Sequence, residues 1–115
     1  HRDGYLDIWK KTINLWIPLE GCTEKSSLPV MSGSHLINES EILRTEAKGA
    51  TINSLSYHVP AIIDTKKGMN FIRPNPPPGQ ALIFTPFLIH GSSINEQNDV
   101  TRMSLEIRLV VDFDS

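Results

Sequence analysis

Arg102-Met103-Ser104-Leu105-Glu106-Ile107-Arg108-Leu109-Val110-Val111 alternates with period two, the signature of a strand whose successive side chains point to opposite faces. Met103, Leu105, Ile107 and Leu109 fall on one face, and Arg102, Ser104, Glu106 and Arg108 share the other. Thr12-Ile13-Asn14-Leu15-Trp16-Ile17-Pro18-Leu19 behaves the same way, with Ile13, Leu15 and Ile17 against Asn14 and Trp16, and both of its faces read as occupied. Shorter candidate strands lie at residues 28–31, 51–60, 69–73 and 80–84, separated by Ser32-Gly33-Ser34 and by the rigid Pro76-Pro77-Pro78-Gly79 turn. The one helical stretch expected is residues 39–48, started by Asn38 or Ser40 and ended by Gly49. Many short strands between Gly/Pro turns imply an all-β sandwich or barrel, of which the jelly roll is one form.

A chain of 115 residues is one domain with one modest core. The net charge of -2 comes with dispersed basic residues, so no electrostatic footprint for nucleic acid is present. Apolar runs such as Ala81-Leu82-Ile83-Phe84 fall far short of the roughly 20 residues a membrane span needs, and no membrane association is expected. Cys22 is the single cysteine, which excludes an internal disulfide and fits a reducing, cytoplasmic setting. Its plain reading is a small, partly buried loop residue. There are no internal repeats, and the short proline run is the only compositional bias.

The chemistry-bearing residues stand at the two ends of the chain: His1-Arg2-Asp3, then His90-Gly91-Ser92-Ser93, then Arg102-Met103-Ser104. Two neutral imidazoles and one carboxylate can occupy one face of an octahedral ferrous ion and leave the opposite positions open. His1 and Asp3 suit two of those positions at a strand end, where alternate residues point the same way, and His90 supplies the third. A 2-oxoglutarate cosubstrate would chelate the metal through its keto-acid end. Its far carboxylate needs a fixed cation: Arg102 offers a planar fork of donors, and Ser104, on the same face, adds a hydroxyl. Asn14 and Trp16 are candidates to line the cosubstrate or substrate pocket, although a large aromatic also serves a core. Tyr5 lies close enough to Asp3 to reach substrate. His35 follows the Gly-Ser turn and is placed at the substrate mouth or in a turn hydrogen bond. Arg108 is read as an ion pair with Glu106 or Asp112, or as the carboxylate partner if the register is offset. His58, with no motif around it, is read as structural or exposed. An N-terminal histidine can also chelate Cu(II) through its amine and ring nitrogen, but that alternative leaves Arg102 and Ser104 without a role.

Taken together, His1-Arg2-Asp3-Gly4, Asn14-Leu15-Trp16-Ile17-Pro18-Leu19, Leu28-Pro29-Val30-Met31-Ser32-Gly33-Ser34-His35, Gly79-Gln80-Ala81-Leu82-Ile83-Phe84 and His90-Gly91-Ser92-Ser93 with Asn95 and Arg102 resemble the phytanoyl-CoA dioxygenase family in order and spacing. The resemblance implies a double-stranded β-helix, or jelly roll, carrying a non-haem Fe(II), 2-oxoglutarate-dependent oxygenase. It implies His1, Asp3 and His90 as iron ligands, Arg102 as the anchor of 2-oxoglutarate, dioxygen as co-reactant and a small-molecule substrate. Halogenases of the family carry a small residue at the acidic ligand; Asp3 is present here, so hydroxylation is expected. Members have a longer N-terminal half, so residues 1–115 are expected to be the C-terminal part of one jelly-roll domain. Either a preceding segment or a second copy, as a homo-oligomer, is expected to complete the barrel. The alternative is a catalytically silent or incomplete jelly-roll module, cupin-like, that binds a metal or ligand. Residues 37–51 and 62–73 are expected to shape the mouth of the pocket.

Overall fold

The computed structural model describes residues 1–46, 50–52, 55–57 and 59–111, and it is an all-β arrangement of small sheets. Among the described residues there is no α-helix, only single 3-10 turns, and the strands are β1 (Thr12–Glu20), β2 (Ile42–Arg44), β3 (Ala50–Ile52), β4 (Leu55–Tyr57), β5 (Ile62–Thr65), β6 (Leu82–Phe84) and β7 (Met103–Val110). The two alternating stretches pair with each other. Strand β1 is central in an antiparallel sheet of order β6-β1-β7, with Asn14 opposite Arg108, Trp16 opposite Glu106 and Pro18 opposite Ser104. Residues directly opposite share a face, so this register gathers Asn14, Trp16, Ser104 and Arg108 on one side. Strand β6 pairs only with residues 14–16 of β1. Pro18 therefore stands where β7 alone is the neighbour, next to a register shift between Pro18 and Glu20, a position that tolerates a missing N–H.

A second layer is made almost entirely from single bridges. His1 and His90 exchange backbone hydrogen bonds (His90 N to His1 O 3.1 Å; His1 N to His90 O 2.9 Å). Met31 N donates to Ile89 O and Gly91 N to Pro29 O, which brackets a Val30–His90 bridge. Val30 and Ile72 exchange a further pair at 2.8 and 2.9 Å. The expected strands at residues 28–31 and 69–73 are thus reduced to bridges at Val30 and Ile72. Pro29 is one reason, because it has no N–H to extend the ladder.

The layers meet through Trp16 and Phe84 from the first and Leu28 and Val30 from the second, all buried. Met31, Ile37 and Ile89 form an adjoining buried cluster. The inward face of β1 is the one carrying Thr12, Asn14 and Trp16, all buried. Its other face, expected to be occupied as well, is open among the described residues: Ile13 is 38% exposed, Leu105 48% and Ile83 69%. The polar face of β7 accordingly looks inward and its apolar face outward.

The helix expected over residues 39–48 is absent. Glu39–Glu41 makes one 3-10 turn, with Asn38 at its start but no side-chain cap, and the chain then extends as β2. Pairing with β5, continued by Thr45 N to Ala61 O at 2.9 Å, offers the backbone a ladder that an isolated two-turn helix cannot match. Residues 47–49 lie outside the described residues. The single strand expected over residues 51–60 is instead β3 antiparallel to β4. At the end of β1, Gly21 has φ +69, and a Cβ there would meet Thr101 O at 2.1 Å, so only glycine allows the approach to the start of β7. No helix among the described residues is long and apolar enough to cross a membrane.

Trp16 is 2% exposed and bridges the two layers. Trp16→Ala should therefore lose about 3–5 kcal/mol of unfolding free energy in urea titration, whereas Ile83→Ala, on the open face, should lose about 1 kcal/mol or less.

Candidate metal centre

Residues 89 apart in sequence become neighbours because His1 and His90 form one hydrogen-bonded antiparallel pair, which sets their side chains on the same face. Arg2 continues in extended conformation (φ -116, ψ 133), and Asp3 then opens a 3-10 turn, Asp3–Tyr5. Asp3 is thus at a strand-to-turn junction and not within a strand. The turn is anchored from outside by Gly4 N to Pro86 O at 2.8 Å.

The three side chains converge. His1 Nε2 lies 3.3 Å and His90 Nε2 3.4 Å from Asp3 Oδ1, and one donor atom from each residue lies within 4.8 Å of the others. Ligands about 2.1 Å from a metal and at right angles stand roughly 3 Å apart; the two distances to Asp3 Oδ1 are near that value, and the three residues are close enough to hold a single ion through two nitrogens and one oxygen. The His90 ring is oriented for this. Its Nδ1 donates to Leu88 O at 3.1 Å, because a carbonyl can only accept, and that turns Nε2 toward Asp3 as the nitrogen on which a metal would replace a proton. Phe84 packs against the same ring, with centroids 5.1 Å apart.

The Asp3 carboxylate is 4% exposed and its two oxygens are used differently. Oδ1 faces the imidazoles; Oδ2 accepts from Asn14 Nδ2 at 2.5 Å and lies 3.5 Å from Arg108 Nη2. Burial by itself would raise the Asp3 pKa. Hydrogen bonds from His1 and His90, with the charges of His90 and Arg108, outweigh it and hold the carboxyl well below the usual carboxylate range. With Oδ2 occupied, Asp3 has one oxygen to give a metal, so one more coordination position stays open.

Arg108 was expected to pair with Glu106 or Asp112. Glu106 is its partner at 3.1 Å, and its guanidinium also lies 4.8 Å from the centre of the Trp9 ring; Asp112 lies outside the described residues. The contact with Asp3 has no sequence motif behind it. The same is true of Arg2, which is 3% exposed and donates to Ser34 O (2.6 Å), Ile37 O (2.8 Å) and Glu39 Oε1 (3.0 Å). Arg2 thereby ties residues 34–39 to the His-x-Asp segment, and Ser34 Oγ, accepting from Ile89 N at 2.7 Å, ties the same residues to the His90 side. The only sequence signal for either arginine is a cation between or opposite ligand positions.

Arg102 and Ser104 are together: Nη1 donates to Ser104 Oγ at 2.5 Å and Nη2 to Ser93 O at 2.7 Å. Among the described residues no carboxylate lies within ion-pair distance of Arg102. Asn95 shapes the intervening loop by donating to Val100 O at 2.7 Å.

The other expected residues are dispersed. Asn14 holds Asp3. Trp16 is in the core. Tyr5 lies in a separate cavity of about 320 Å³ with Arg2, Glu39 and Arg44, the Arg44 guanidinium 4.5 Å from its ring centre. Burial, then the Glu39 carboxylate, push the Tyr5 phenol up, so it stays protonated. His35 is exposed and borders a cavity of about 400 Å³ with Val30, Phe84 and Leu88. Cys22 is half-buried, its Sγ 3.3 Å from Met103 O. The His1 backbone nitrogen is bonded to His90 O, a contact that a copper chelate through that nitrogen would have to break. His58 lies outside the described residues. Comparison of the chain with protein-family models, with curated proteins and with solved structures finds no match.

Titration with Co(II), followed by its visible absorption, should give one site that is lost in His90→Ala and Asp3→Ala. Arg108→Met, which keeps bulk and removes the charge on Oδ2, should weaken it by roughly 10–100-fold. In metal-free protein Asp3 binds its proton more weakly when folded than when unfolded. Its stabilising share is therefore present at neutral pH and declines as pH falls below about 4, the unfolded value. Asp3→Asn should consequently be less stable than wild type at pH 7, and the gap should narrow in denaturation curves below pH 4.

Proposed function

We propose that the chain acts as a non-haem Fe(II), 2-oxoglutarate-dependent dioxygenase, of phytanoyl-CoA dioxygenase type, that hydroxylates a small molecule. The observation that carries this reading is the His1–Asp3–His90 triangle with one oxygen of Asp3 tied back, beside a guanidinium at Arg102 that has no carboxylate within ion-pair distance among the described residues. Iron bound there, with 2-oxoglutarate and dioxygen, supplies the oxidising power to convert a C–H group to C–OH. The balance is one substrate, one 2-oxoglutarate and one dioxygen giving one alcohol, one succinate and one carbon dioxide.

The chain's own residues have separable parts in this. His1, Asp3 and His90 hold the metal, while Asn14 and Arg108 orient Asp3. Arg102, steadied by Ser104 and the Ser93 carbonyl, presents its fork to the far carboxylate of the cosubstrate. Positioning is the protein's contribution, because the cofactor carries the difficult chemistry. What supports a jelly roll is the pair of facing antiparallel layers, β6-β1-β7 on one side and His1, residues 89–91, 29–31 and 72 side by side on the other.

Anaerobic addition of Fe(II) and 2-oxoglutarate should give the weak visible charge-transfer band of a keto acid chelated to ferrous iron, absent in His90→Ala. Arg102→Gln should retain the metal but bind 2-oxoglutarate at least tenfold more weakly. A chain that binds metal without the band, and releases no succinate in air, is a silent binding module instead.

A further inference from the structure

We infer that the cavity bordering His1 and His90 receives an uncharged, apolar end of the substrate, a ring or short alkyl group that bears the reacting C–H bond; the assignment of a reacting bond rests on the oxygenase reading above. The cavity measures about 260 Å³, and besides the two imidazoles it is walled by Ala61, Ile62, Met69 and Phe71. Gly91 and Ser92 also line it, and among the described residues no Lys, Arg, Asp or Glu does.

Charge decides what can enter. Away from the metal ligands, a carboxylate, phosphate or ammonium group would leave water without a partner of opposite sign among the described wall residues Ala61, Ile62, Met69 and Phe71, and such a loss costs several kcal/mol. An apolar group gains instead, at roughly 25 cal/mol per Å² removed from water. The cosubstrate's far carboxylate does not compete for this space, since Arg102 is bonded to Ser104 and Ser93 and does not line the cavity.

The wall is part of the packed interior. Ile62 and Met69 pack against the buried cluster of Met31, Ile37 and Ile89. Ile62 lies in β5, held by β2 through its pairing with Arg44. The turn between Ile62 and Met69 is closed by Thr65 Oγ1 donating to Gly68 O at 2.6 Å and Gly68 N to Thr65 O at 3.0 Å. Beyond Phe71, Ile72 is bonded to Val30 on both its backbone groups. An apolar wall fixed at both ends is preorganised, which is what selective binding of a small apolar group requires.

The test uses methyl-labelled protein loaded with Zn(II), titrated with toluene and with benzenesulfonate, a similar ring that carries a charge and is a poor metal ligand. Toluene should shift the Ile62 and Met69 methyl signals and bind at least tenfold more tightly than benzenesulfonate. Replacing Zn(II) by Co(II) should then relax the protons of bound toluene, because the cavity borders two ligands. Ala61→Phe should fill the space and abolish the shifts. Phe71→Ala, at a position already 40% exposed and therefore tolerant of truncation, should weaken toluene several-fold. Equal binding of the two probes, or toluene shifts unchanged in both variants, would overturn the inference. Methyl shifts with no Fe(II)–2-oxoglutarate band would leave the apolar site standing and remove the oxygenase reading; the band without the shifts would do the reverse.

Discussion

A carboxylate buried to 4% exposure cannot persist unless every lone pair facing the interior finds a partner, and Asp3 imposes that condition on much of this chain. Its two oxygens draw together residues from four places: His1 beside it, Asn14 in β1, His90 in the second layer and Arg108 in β7. Each partner is held by something else. His90 is held by Leu88 O and Phe84, Arg108 by Glu106 and Trp9, and His1 by its backbone exchange with His90. The three-stranded sheet and the bridged layer are therefore locked to each other through one charged group as well as through the Trp16 core.

That requirement explains why the central sheet turns its polar face inward. The outward residues of β7 are aliphatic, and the inward ones are Ser104, Glu106 and Arg108. By hydropathy alone the aliphatic face would take the core. The site has the opposite demand, because Asn14 and Arg108 must reach Oδ2 while Trp16, between Asn14 and Pro18 on the same face, supplies the apolar contact to Leu28 and Val30. One face of β1 thus serves both the buried Asp3 carboxylate and the core, at alternate positions two residues apart.

Much of the candidate site was legible. A His-x-Asp pair, a distant His and Arg-x-Ser on an alternating strand are residue types with few joint uses, and the three ligand candidates do converge. The contact of Arg102 with Ser104 follows from strand period alone. Other parts were not legible, for identifiable reasons. Arg108 meets Asp3 because of the β1–β7 register, and register is a property of two strands together. Arg2 reads as a spacer until the carbonyls of Ser34 and Ile37 are seen to surround it. Residues 39–48 have helical residue types, yet β5 supplies a ladder partner to Ile42 and Leu43, and propensity yields to that pairing.

What the sequence determined by itself is local and periodic: strands over 12–19 and 102–111, seen as β1 and β7 to within a residue at each end, turns where Gly and Pro require them, and a set of metal-binding residue types on extended segments. Tertiary structure alone decided which atoms meet. The pairing of His1 with His90 spans 89 residues, and no local preference encodes a contact at that separation. It arises when the two layers bury Trp16, Leu28, Val30 and Phe84 between them, and the position of Asp3 relative to both imidazoles follows from that burial.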